Sequence, residues 1–508
     1  MQQHTLRPGT AQSLRRIAAS LPPGTLVDPV PEVRVTGIAA DSREVEHGDL
    51  FVATRGLAAD GHGFIRDAIR RGAVAVIVEE LPPEPVDLPV IRTANTRTAL
   101  AKLAAAWYGH PSRELTLVGV TGTMGKTSTL AFLEAILGAG GQPVGSIGSL
   151  GVRANGREIE QTGYTVPGPL RLHGALRQLC DLGCKVVLME ATTHALTQGR
   201  LHGVEFGLGV FTSLVPLEHM EYHDSFQSYV EAKARYFNHL APGAPLAYFA
   251  DDPALRMFVE GHDLTPIPCG AGEDAAVRIQ VEAMDTAGTV LHLSAPGGVP
   301  DLDGSSSLPW SVRVRLPLLG RSTAVNASLA AAAGAVMGAT PRAIETALDA
   351  LPSVPRRMQI VQAEPFLILD DFGGHPNTVS AVFEVVEALS WERLHVVTGY
   401  RAMRGTPINR GMSEALSVWL HRLGCETLCV TAAEETADER NRVQPDERKA
   451  FHRGLESAGT PLHEERRMDR AIHHTIERVR TGDLLLILGT QGLDGAAAFA
   501  RECWTRKH

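Results

Sequence analysis

The chain reads Gly119-Val-Thr-Gly-Thr-Met-Gly-Lys-Thr127 immediately after the apolar run Leu115-Thr-Leu-Val118. A segment with helical character, Ser128–Leu137, follows this glycine-rich stretch. A strand, a glycine-rich turn and a helix in this order are typical of a phosphate-binding loop. Glycines let backbone N–H groups converge on phosphate oxygens, and the helix N-terminus adds the positive end of its dipole. The sequence therefore predicts a nucleotide site within an α/β domain.

The side chains of this loop suggest how a nucleotide would be held. Lys126 is long enough to reach the terminal phosphates, and the hydroxyl of Thr127 or Ser128 suits Mg²⁺. The glycine spacing departs from the standard loop, and a glycine-rich turn without a ligand is the alternative. The positions predicted to contact the nucleotide are Gly122, Thr123, Gly125, Lys126, Thr127 and Ser128.

The composition is that of a soluble protein with several domains. A chain of 508 residues, 44% of them apolar, is long enough for roughly three domains, each with its own core. Neither a signal-peptide pattern nor an apolar run of membrane-spanning length is present in the sequence. The six cysteines lack metal-ligand spacing, which indicates core thiols in a reducing compartment. We therefore predict a cytoplasmic protein without membrane insertion.

The charge balance bears on possible partners. A net charge of −9 argues against general nucleic-acid binding and leaves room for a local basic cleft. We predict that the protein is a monomer and that its partners are small-molecule substrates.

Strand and helix patterns divide the chain into three parts, 1–113, 114–351 and 352–508. A helical stretch, Thr96–Trp107, ends the first part. Apolar strands such as Lys185–Met189 alternate with helices in the second, which predicts a parallel sheet. The segment 293–310 is rich in Gly, Ser, Pro and Asp and is typical of a loop or hairpin. Leu351–Pro355 is typical of a hinge, after which strands and helices alternate again and predict a Rossmann-like, doubly wound domain.

Several segments, in the same order along the chain, resemble the Mur ligases and within them the MurE branch. Gly122–Thr127 is similar to that family's Gly-Thr-Asn-Gly-Lys-Thr loop. Glu190–Arg200 resembles Glu-Val-Ser-Ser-His-Ala-Leu-x-Gln-x-Arg, and Phe211–Phe237 resembles a Phe-Thr-Asn-Leu … Asp-His-Leu-Asp-Tyr-His … Ala-Lys block. Asp41–Ala53 resembles the N-terminal Asp-Ser-Arg region of the branch. The resemblance extends over nearly the whole chain.

The resemblance implies an N-terminal UDP-sugar-binding domain, a central ATP-binding domain and a C-terminal Rossmann-like domain. It implies ATP-dependent addition of an amino acid to UDP-N-acetylmuramoyl-L-alanyl-D-glutamate in peptidoglycan synthesis. In that chemistry the γ-phosphate activates the carboxylate as an acyl phosphate, and an amine then attacks the carbonyl. Such an enzyme must neutralise charge between two anions and hold the reactants in line.

The resemblance also implies a metal site. Thr127 and Glu190 match family positions that hold Mg²⁺, and oxygen ligands suit that ion. His219 matches a metal-site histidine, and Lys233 matches a lysine that the family converts with CO₂ to a carbamate. Without the family, a solvated glutamate, a surface histidine and an exposed helix lysine are the alternatives.

Three later positions match the family's ATP-binding set. Asn326 corresponds to the adenine side, Arg357 to an arginine that reaches the phosphates once the C-terminal domain closes, and Asp371 to the ribose contact. A guanidinium is suited to bidentate contact with phosphate. The resemblance thus implies the catalytic set Lys126, His219, Lys233 and Arg357.

The substrate side matches the family less closely. The implied substrate-binding residues are Ser42 at the uridine, with Thr165, Thr192 and Arg200 near the pyrophosphate and the muramoyl peptide. Val166 replaces a threonine usual in the branch.

The acceptor side departs further. Enzymes of the branch that use meso-diaminopimelate carry Asp-Asn-Pro-Arg where this chain has Ala432-Ala-Glu-Glu435. Their Gly-Lys-Gly-His-Glu loop corresponds to Gly489–Asp494. These changes disfavour diaminopimelate. Glu434 or Glu435 suits a basic acceptor such as lysine or ornithine, and solvated loop charge is the alternative.

Three other functions remain as alternatives. One is a related ligase that acts on a different carboxylate in secondary metabolism or storage-polymer synthesis. The second is a non-catalytic ATP-binding partner of a cell-wall complex. A simple phosphate-loop kinase or GTPase would explain Lys126 but not Glu190, His219 and Lys233.

Overall fold

The computed structural model describes residues 11–21, 32–56, 59–215, 225–352, 355–437, 442–457, 460–489 and 491–507. Within these ranges the strands form three main sheets that follow one another along the chain. His219, predicted above as a metal ligand, lies outside the described residues. No described helix is both long and apolar enough to cross a membrane.

The N-terminal unit contains a four-stranded parallel sheet in the order β3-β4-β5-β6 and, among the described residues, an antiparallel pair β1-β2. Its elements are β1 (Gln12–Ser13), α1 (Leu14–Ala18), β2 (Arg34–Val35), β3 (Gly37–Ala39), β4 (Asp49–Val52), α2 (Ile65–Arg70), β5 (Ala75–Val78), β6 (Val90–Arg92) and α3 (Thr96–Trp107). Short 3₁₀ helices cover Ser42–Glu44, Gly61–Phe64 and Pro111–Arg113.

The central unit is built on an eleven-stranded sheet of described residues. Its strands are β7 (Thr116–Thr121), β8 (Val144–Gly148), β9 (Gly151–Ala154), β10 (Arg157–Glu160), β11 (Val186–Glu190), β12 (Leu208–Phe211), β13 (Pro245–Phe249), β14 (Thr265–Gly270), β15 (Val277–Asp285), β16 (Gly288–Ala295) and β17 (Trp310–Leu316). Its helices are α4 (Lys126–Ala139), α5 (Pro169–Asp181), α6 (Thr193–Thr197), α7 (Phe226–Ala234), α8 (Pro253–Val259), α9 (Arg321–Val336) and α10 (Pro341–Asp349), with a 3₁₀ turn at Phe237–His239.

The strand order in this sheet is β10-β9-β8-β11-β7-β12-β13-β14-β15-β16-β17. The predicted parallel sheet is confirmed from β8 to β15. At both ends the sheet continues as antiparallel strands, β8-β9-β10 and β15-β16-β17, which the predicted parallel sheet did not include. The segment 296–309 forms the connection between β16 and β17.

The C-terminal unit is a six-stranded sheet of described residues in the order β18-β19-β23-β20-β21-β22, antiparallel only at its β18 edge. Its strands are β18 (Gln359–Gln362), β19 (Leu367–Asp371), β20 (Leu394–Gly399), β21 (Thr427–Thr431), β22 (His463–Glu465) and β23 (Leu484–Leu488). Its helices are α11 (Pro376–Ala388), α12 (Gly405–Leu423), α13 (Pro445–Ser457), α14 (Met468–Ile476) and α15 (Ala496–Lys507), with a 3₁₀ turn at Gln491–Leu493.

Apolar clusters on both faces of this last sheet confirm the doubly wound arrangement. Residues of α11, α12 and α13 pack on one face, and residues of α14 and α15 pack on the other. The strand at Leu484–Leu488 begins and ends at the residues that its apolar run predicts.

Helix α3 links the first two units. It begins and ends at the predicted residues, and the Asn95 side chain caps it by accepting a hydrogen bond from the Thr98 N–H at 2.9 Å. Its apolar face packs against α5, and Leu170 at the start of α5 joins the N-terminal core. The proposed boundary at 113/114 follows this helix, and that boundary and the one at 351/352 remain predictions.

Candidate active site

A cleft of about 720 Å³ lies between the central and C-terminal units. The carboxyl ends of β7, β11 and β12, the first turns of α4 and α9, and the segment around Arg357 and Asp371 line it. Since β7 pairs with β11 on one side and β12 on the other, the loop after β7 lies between the ends of both neighbours. This is the edge at which open α/β sheets bind ligands.

The glycine-rich loop has the backbone that its composition predicts. Gly122 and Gly125 adopt φ values of 142° and 85°, which disfavour residues with side chains. The Thr123 N–H donates to the Ser213 carbonyl at 2.8 Å, and the Met124 N–H donates to the Ser213 hydroxyl at 2.9 Å. Hydrogen bonds to Ser213, in the segment after β12, therefore fix the loop at the N-terminus of α4.

Lys126 begins α4 and folds back over the loop. Its Nζ donates to the carbonyls of Gly122 and Thr123, each at 3.0 Å. The ammonium group therefore lies within the loop, and its contact with a phosphate stays a prediction.

Thr127 and Glu190 meet across the cleft floor. The Thr127 hydroxyl donates to Glu190 Oε1 at 2.9 Å, and the Ser149 N–H donates to the same oxygen at 2.8 Å. Glu190 ends β11 and is only 1% exposed, which contradicts the alternative of a solvated strand-end glutamate. The structure therefore brings two oxygen-bearing side chains together beside the phosphate-binding loop.

Lys233 lies on α7, is 1% exposed and is among the residues that line the cleft. Its Nζ is 5.2 Å from the centroid of the Tyr229 ring and 5.8 Å from that of Phe211. Burial, assisted by the nearby charge of Lys126, holds the pKa of Lys233 well below its ordinary value. The alternative of an exposed helix lysine is wrong.

Asn326 reaches the loop from α9. It lines the cleft and is 9% exposed, and a Cβ added at Gly125 would collide with its side-chain amide. The two residues are thus in close contact, with Ser322 and Thr323 lining the same wall.

Arg357 and Asp371 enter the cleft from the C-terminal unit. The Arg357 guanidinium lies 5.3 Å from the Phe372 ring centroid. The buried Asp371 carboxylate accepts hydrogen bonds from the N–H groups of Met358 at 2.8 Å and Gly373 at 2.7 Å. Burial raises the pKa of Asp371, and these hydrogen bonds oppose the rise.

The predicted substrate residues separate into two groups. Thr165, Thr192 and Arg200 line the cleft, where Arg200 donates to the Val166 carbonyl at 2.6 Å. The Thr192 hydroxyl also caps α6 by accepting from the Ala195 N–H. Ser42 is not among the described residues that line this cleft.

The two glutamates suggested for a basic acceptor have partners within the chain. Glu434 forms an ion pair with Arg466 at 3.0 Å, and Glu435 accepts a hydrogen bond from the Asp469 N–H at 3.0 Å. Neither is among the described residues that line the cleft, so the alternative of ordinary loop charge describes them better.

Sequence reasoning missed several cleft residues. Ser213, whose hydroxyl accepts from the Met124 N–H of the loop, lies within the Phe211–Phe237 block that resembles the family. The centroid of the Tyr164 ring lies 5.5 Å from the central carbon of the Arg200 guanidinium. Tyr164 is 63% exposed and lines the cleft. Arg401, which follows β20, also lines the cleft. Single residues of these types give no periodic or spacing signal.

Three family models match the chain in order. Residues 34–108 match the "Mur ligase family, catalytic domain", 120–334 match the "Mur ligase middle domain", and 356–491 match the "Mur ligase, glutamate ligase domain".

Individual proteins are similar in sequence to this chain over nearly its whole length. The chain is 30% identical to a UDP-N-acetylmuramoyl-L-alanyl-D-glutamate–2,6-diaminopimelate ligase of Bacillus licheniformis, over 90% of this chain and 89% of that protein. It is 31% identical to a UDP-N-acetylmuramyl-tripeptide synthetase of Roseiflexus sp., over 92% and 91%. A solved structure of another diaminopimelate ligase of this type superimposes with a TM-score of 0.68 at 21% identity, covering 98% of this chain and 100% of that one. With its three domain matches and its full-length relatives, the chain belongs to the Mur ligase family.

Proposed function

We propose that this protein is an ATP-dependent amide ligase that adds an amino acid to UDP-N-acetylmuramoyl-L-alanyl-D-glutamate through an acyl phosphate. The observation that carries the proposal is the convergence in one cleft of the loop lysine Lys126, the Thr127–Glu190 pair, the buried Lys233 and Arg357 from the C-terminal unit. The named substrates of the full-length relatives supply the substrate class.

The cleft suits ATP. The loop backbone and Lys126 would bind the β- and γ-phosphates, and Arg357 would add a second cation from the opposite wall. Asn326 would face the adenine, and Asp371 would accept from the ribose. Both cations would lie where negative charge develops as the phosphoryl group moves to the substrate carboxylate.

The donor set also fits Mg²⁺. Thr127 and Glu190 offer hard oxygen atoms within 2.9 Å of each other, beside the loop. Among the described residues, no group of three or more His, Cys, Asp or Glu side chains could hold a metal. When bound, Mg²⁺ would neutralise phosphate charge. His219, outside the described residues, is proposed as a further ligand.

We propose that Lys233 carries a carbamate. Its lowered pKa favours the neutral amine, whose nitrogen lone pair can attack CO₂ to form the N–C bond with release of one proton. The product is an anion that would be attracted to the nearby Lys126 ammonium and would offer oxygen atoms to a metal ion.

The UDP-muramoyl peptide is assigned to residues of the cleft and of the N-terminal unit. Thr165, Thr192 and Arg200 would bind the pyrophosphate and muramoyl peptide, and Ser42 would meet the uridine in the N-terminal unit. Glu434 is paired with Arg466, so it is not assigned to the acceptor, and the loss of the Asp-Asn-Pro-Arg segment still disfavours diaminopimelate.

The three domains are proposed to span 1–113, 114–351 and 352–508. We also propose that the protein acts as a monomer in the cytoplasm, since one chain supplies all the cleft residues named here and ATP and nucleotide-linked sugars are cytoplasmic substrates. Light scattering at micromolar protein concentration tests the monomer, and a dimer mass would contradict it.

Phosphate release from ATP tests the proposed function. The reaction contains Mg²⁺, UDP-N-acetylmuramoyl-L-alanyl-D-glutamate and one member of a panel of amino acids. Release that requires both the UDP-peptide and one amino acid supports the proposal and identifies the acceptor. If the protein binds ATP but gives no response to the UDP-peptide with any acceptor, the proposal is wrong and a different carboxylate must be sought.

A further inference from the structure

The segment that presents Arg357 to the cleft has an unusual backbone. Arg356 and Met358, on either side of Arg357, have φ values of 56° and 48°. A positive φ is strained for residues that carry a side chain. Such residues therefore keep this left-handed conformation where surrounding contacts hold them. Something near this segment must therefore hold it.

The Arg356 side chain makes three contacts that hold this segment. It is 8% exposed, and its Nε donates to Asp370 Oδ1 at 3.2 Å while Nη1 donates to Asp494 Oδ1 at 2.6 Å. Its Nη2 donates to the Gly489 carbonyl. One planar guanidinium thus joins three parts of the chain: the linker, the end of β19 and the loop after β23.

The backbone around it is fixed by the same elements. The Phe372 N–H donates to the Arg356 carbonyl at 2.8 Å, and the Gly489 N–H donates to the Asp371 carbonyl at 3.0 Å. The Asp371 side chain accepts from the Met358 N–H at 2.8 Å. Adjacent aspartates at the end of β19 therefore hold the residues immediately before and after Arg357.

We propose that Arg356 is a positioning residue for the ligation reaction, resting on the function proposed above. Through Asp370, Asp494 and the Gly489 carbonyl it sets the backbone from which Arg357 reaches the transferring phosphoryl group. It also ties that backbone to the loop 489–494, which corresponds to the acceptor-side loop of the family. Arg356 acts through Arg357 and touches no substrate itself.

The chemistry of the contact requires arginine. The three acceptors lie on different segments, and a guanidinium offers several N–H groups in a fixed plane, whereas a lysine ammonium is a single point of charge. Arg356→Lys therefore retains the charge but loses the simultaneous contacts, and we expect an intermediate rate.

The test is a double-mutant cycle on kcat for substrate-dependent phosphate release. The variants are Arg356→Gly, Arg357→Ala and both together. Glycine is chosen at 356 because it accepts φ 56° without strain, which keeps the variant folded. Arg410→Ala, which removes an exposed arginine of α12 paired only on the surface, is the matched control.

We expect Arg357→Ala to lower kcat about 100-fold and Arg356→Gly about 10-fold, with the KM for ATP changed less than about 3-fold by Arg356→Gly. In the double variant the loss should match that of Arg357→Ala alone within about 2-fold, since coupled residues do not add. A wild-type rate for Arg356→Gly, or a further 10-fold loss in the double variant, would overturn the proposal.

Amide hydrogen exchange tests the positioning role of Arg356 independently of the ligase activity. Peptides covering 356–358 and 489–494 should exchange at least about 10-fold faster in Arg356→Gly than in the wild type, while Arg410→Ala leaves them unchanged. If wild-type protein shows no UDP-peptide-dependent phosphate release, the proposed function has failed. Unchanged exchange in Arg356→Gly overturns the inference whatever the activity.

Discussion

The Thr127 hydroxyl donates to Glu190 Oε1 at 2.9 Å, which connects the first turn of α4 to the end of β11. Thr127 and Glu190 are 63 residues apart in sequence, yet β7, which precedes α4, and β11 are hydrogen-bonded neighbours in the sheet. The parallel pairing therefore creates the oxygen pair, and the pair lies beside the loop where phosphates would bind.

Glu190→Gln should weaken the metal requirement of the reaction. The amide keeps the shape and can still accept from the Ser149 N–H, but it removes the negative charge that attracts Mg²⁺. We expect the Mg²⁺ concentration for half-maximal phosphate release to rise about 10-fold or more, which is the loss of metal affinity typical when a group around a metal site is removed. Glu414→Gln, at an exposed ion pair on α12, is the control, and equal Mg²⁺ titrations of the two variants would contradict the metal assignment.

Lys126→Ala should abolish ATP-dependent ligation. Its Nζ donates to the loop carbonyls of Gly122 and Thr123, so the change removes the cation that would face the phosphates. We expect at least about a 100-fold fall in kcat/KM. Circular dichroism should show a wild-type fold. Turnover at the wild-type rate would remove Lys126 from the nucleotide site.

Lys233→Ala should be inactive and partly restored by a small carboxylate such as acetate. The variant opens a space beside the rings of Tyr229 and Phe211 that an acetate ion can enter, and the anion replaces the proposed carbamate. Rescue should increase with acetate concentration, with chloride at the same ionic strength as the control. An active variant without acetate would show that Lys233 has no part in catalysis.

His173→Leu should reduce the acid sensitivity of the fold. Burial in α5 lowers the pKa of His173 from 6.5 to about 4, so the folded state keeps the ring neutral where the unfolded chain binds a proton. The wild type should therefore lose stability as the pH falls from 6.5 towards 4, by at most about 3 kcal/mol from this residue.

Urea unfolding at pH 7.5 and pH 4.5 measures this effect. The difference in unfolding free energy between the two pH values should shrink in His173→Leu, whereas His421→Gln, at an exposed histidine of α12, should resemble the wild type. An identical pH dependence in His173→Leu and wild type would mean that His173 is protonated equally in both states.

The local elements that carry the strongest apolar patterns were predictable. Helix α3 and strand β23 begin and end where their sequences indicate, because capping by Asn95 and an unbroken apolar run are local signals. The hairpin β9–β10 was missed although its turn carries Asn155-Gly156, a strong hairpin signal, with φ values of 49° and 76°.

Site residues were predictable only where a motif names them. Glu190 and Lys233 stood out through the family block, but their burial and the nearness of the two lysines depend on tertiary packing. The role of Arg356 could not be read from sequence at all, since its partners Asp370 and Asp494 are brought to it only by the pairing of β19 with β23. The roles themselves stay predictions.

The contact between Gly125 and Asn326 sets a limit on how this nucleotide site can change over generations. Any side chain at position 125 would have to displace the Asn326 amide, and the left-handed backbone there already disfavours one. A lineage could alter the loop only if α9 had first lost its asparagine, and each step alone would damage the site. The two positions, 201 residues apart, are therefore expected to be inherited as a single unit.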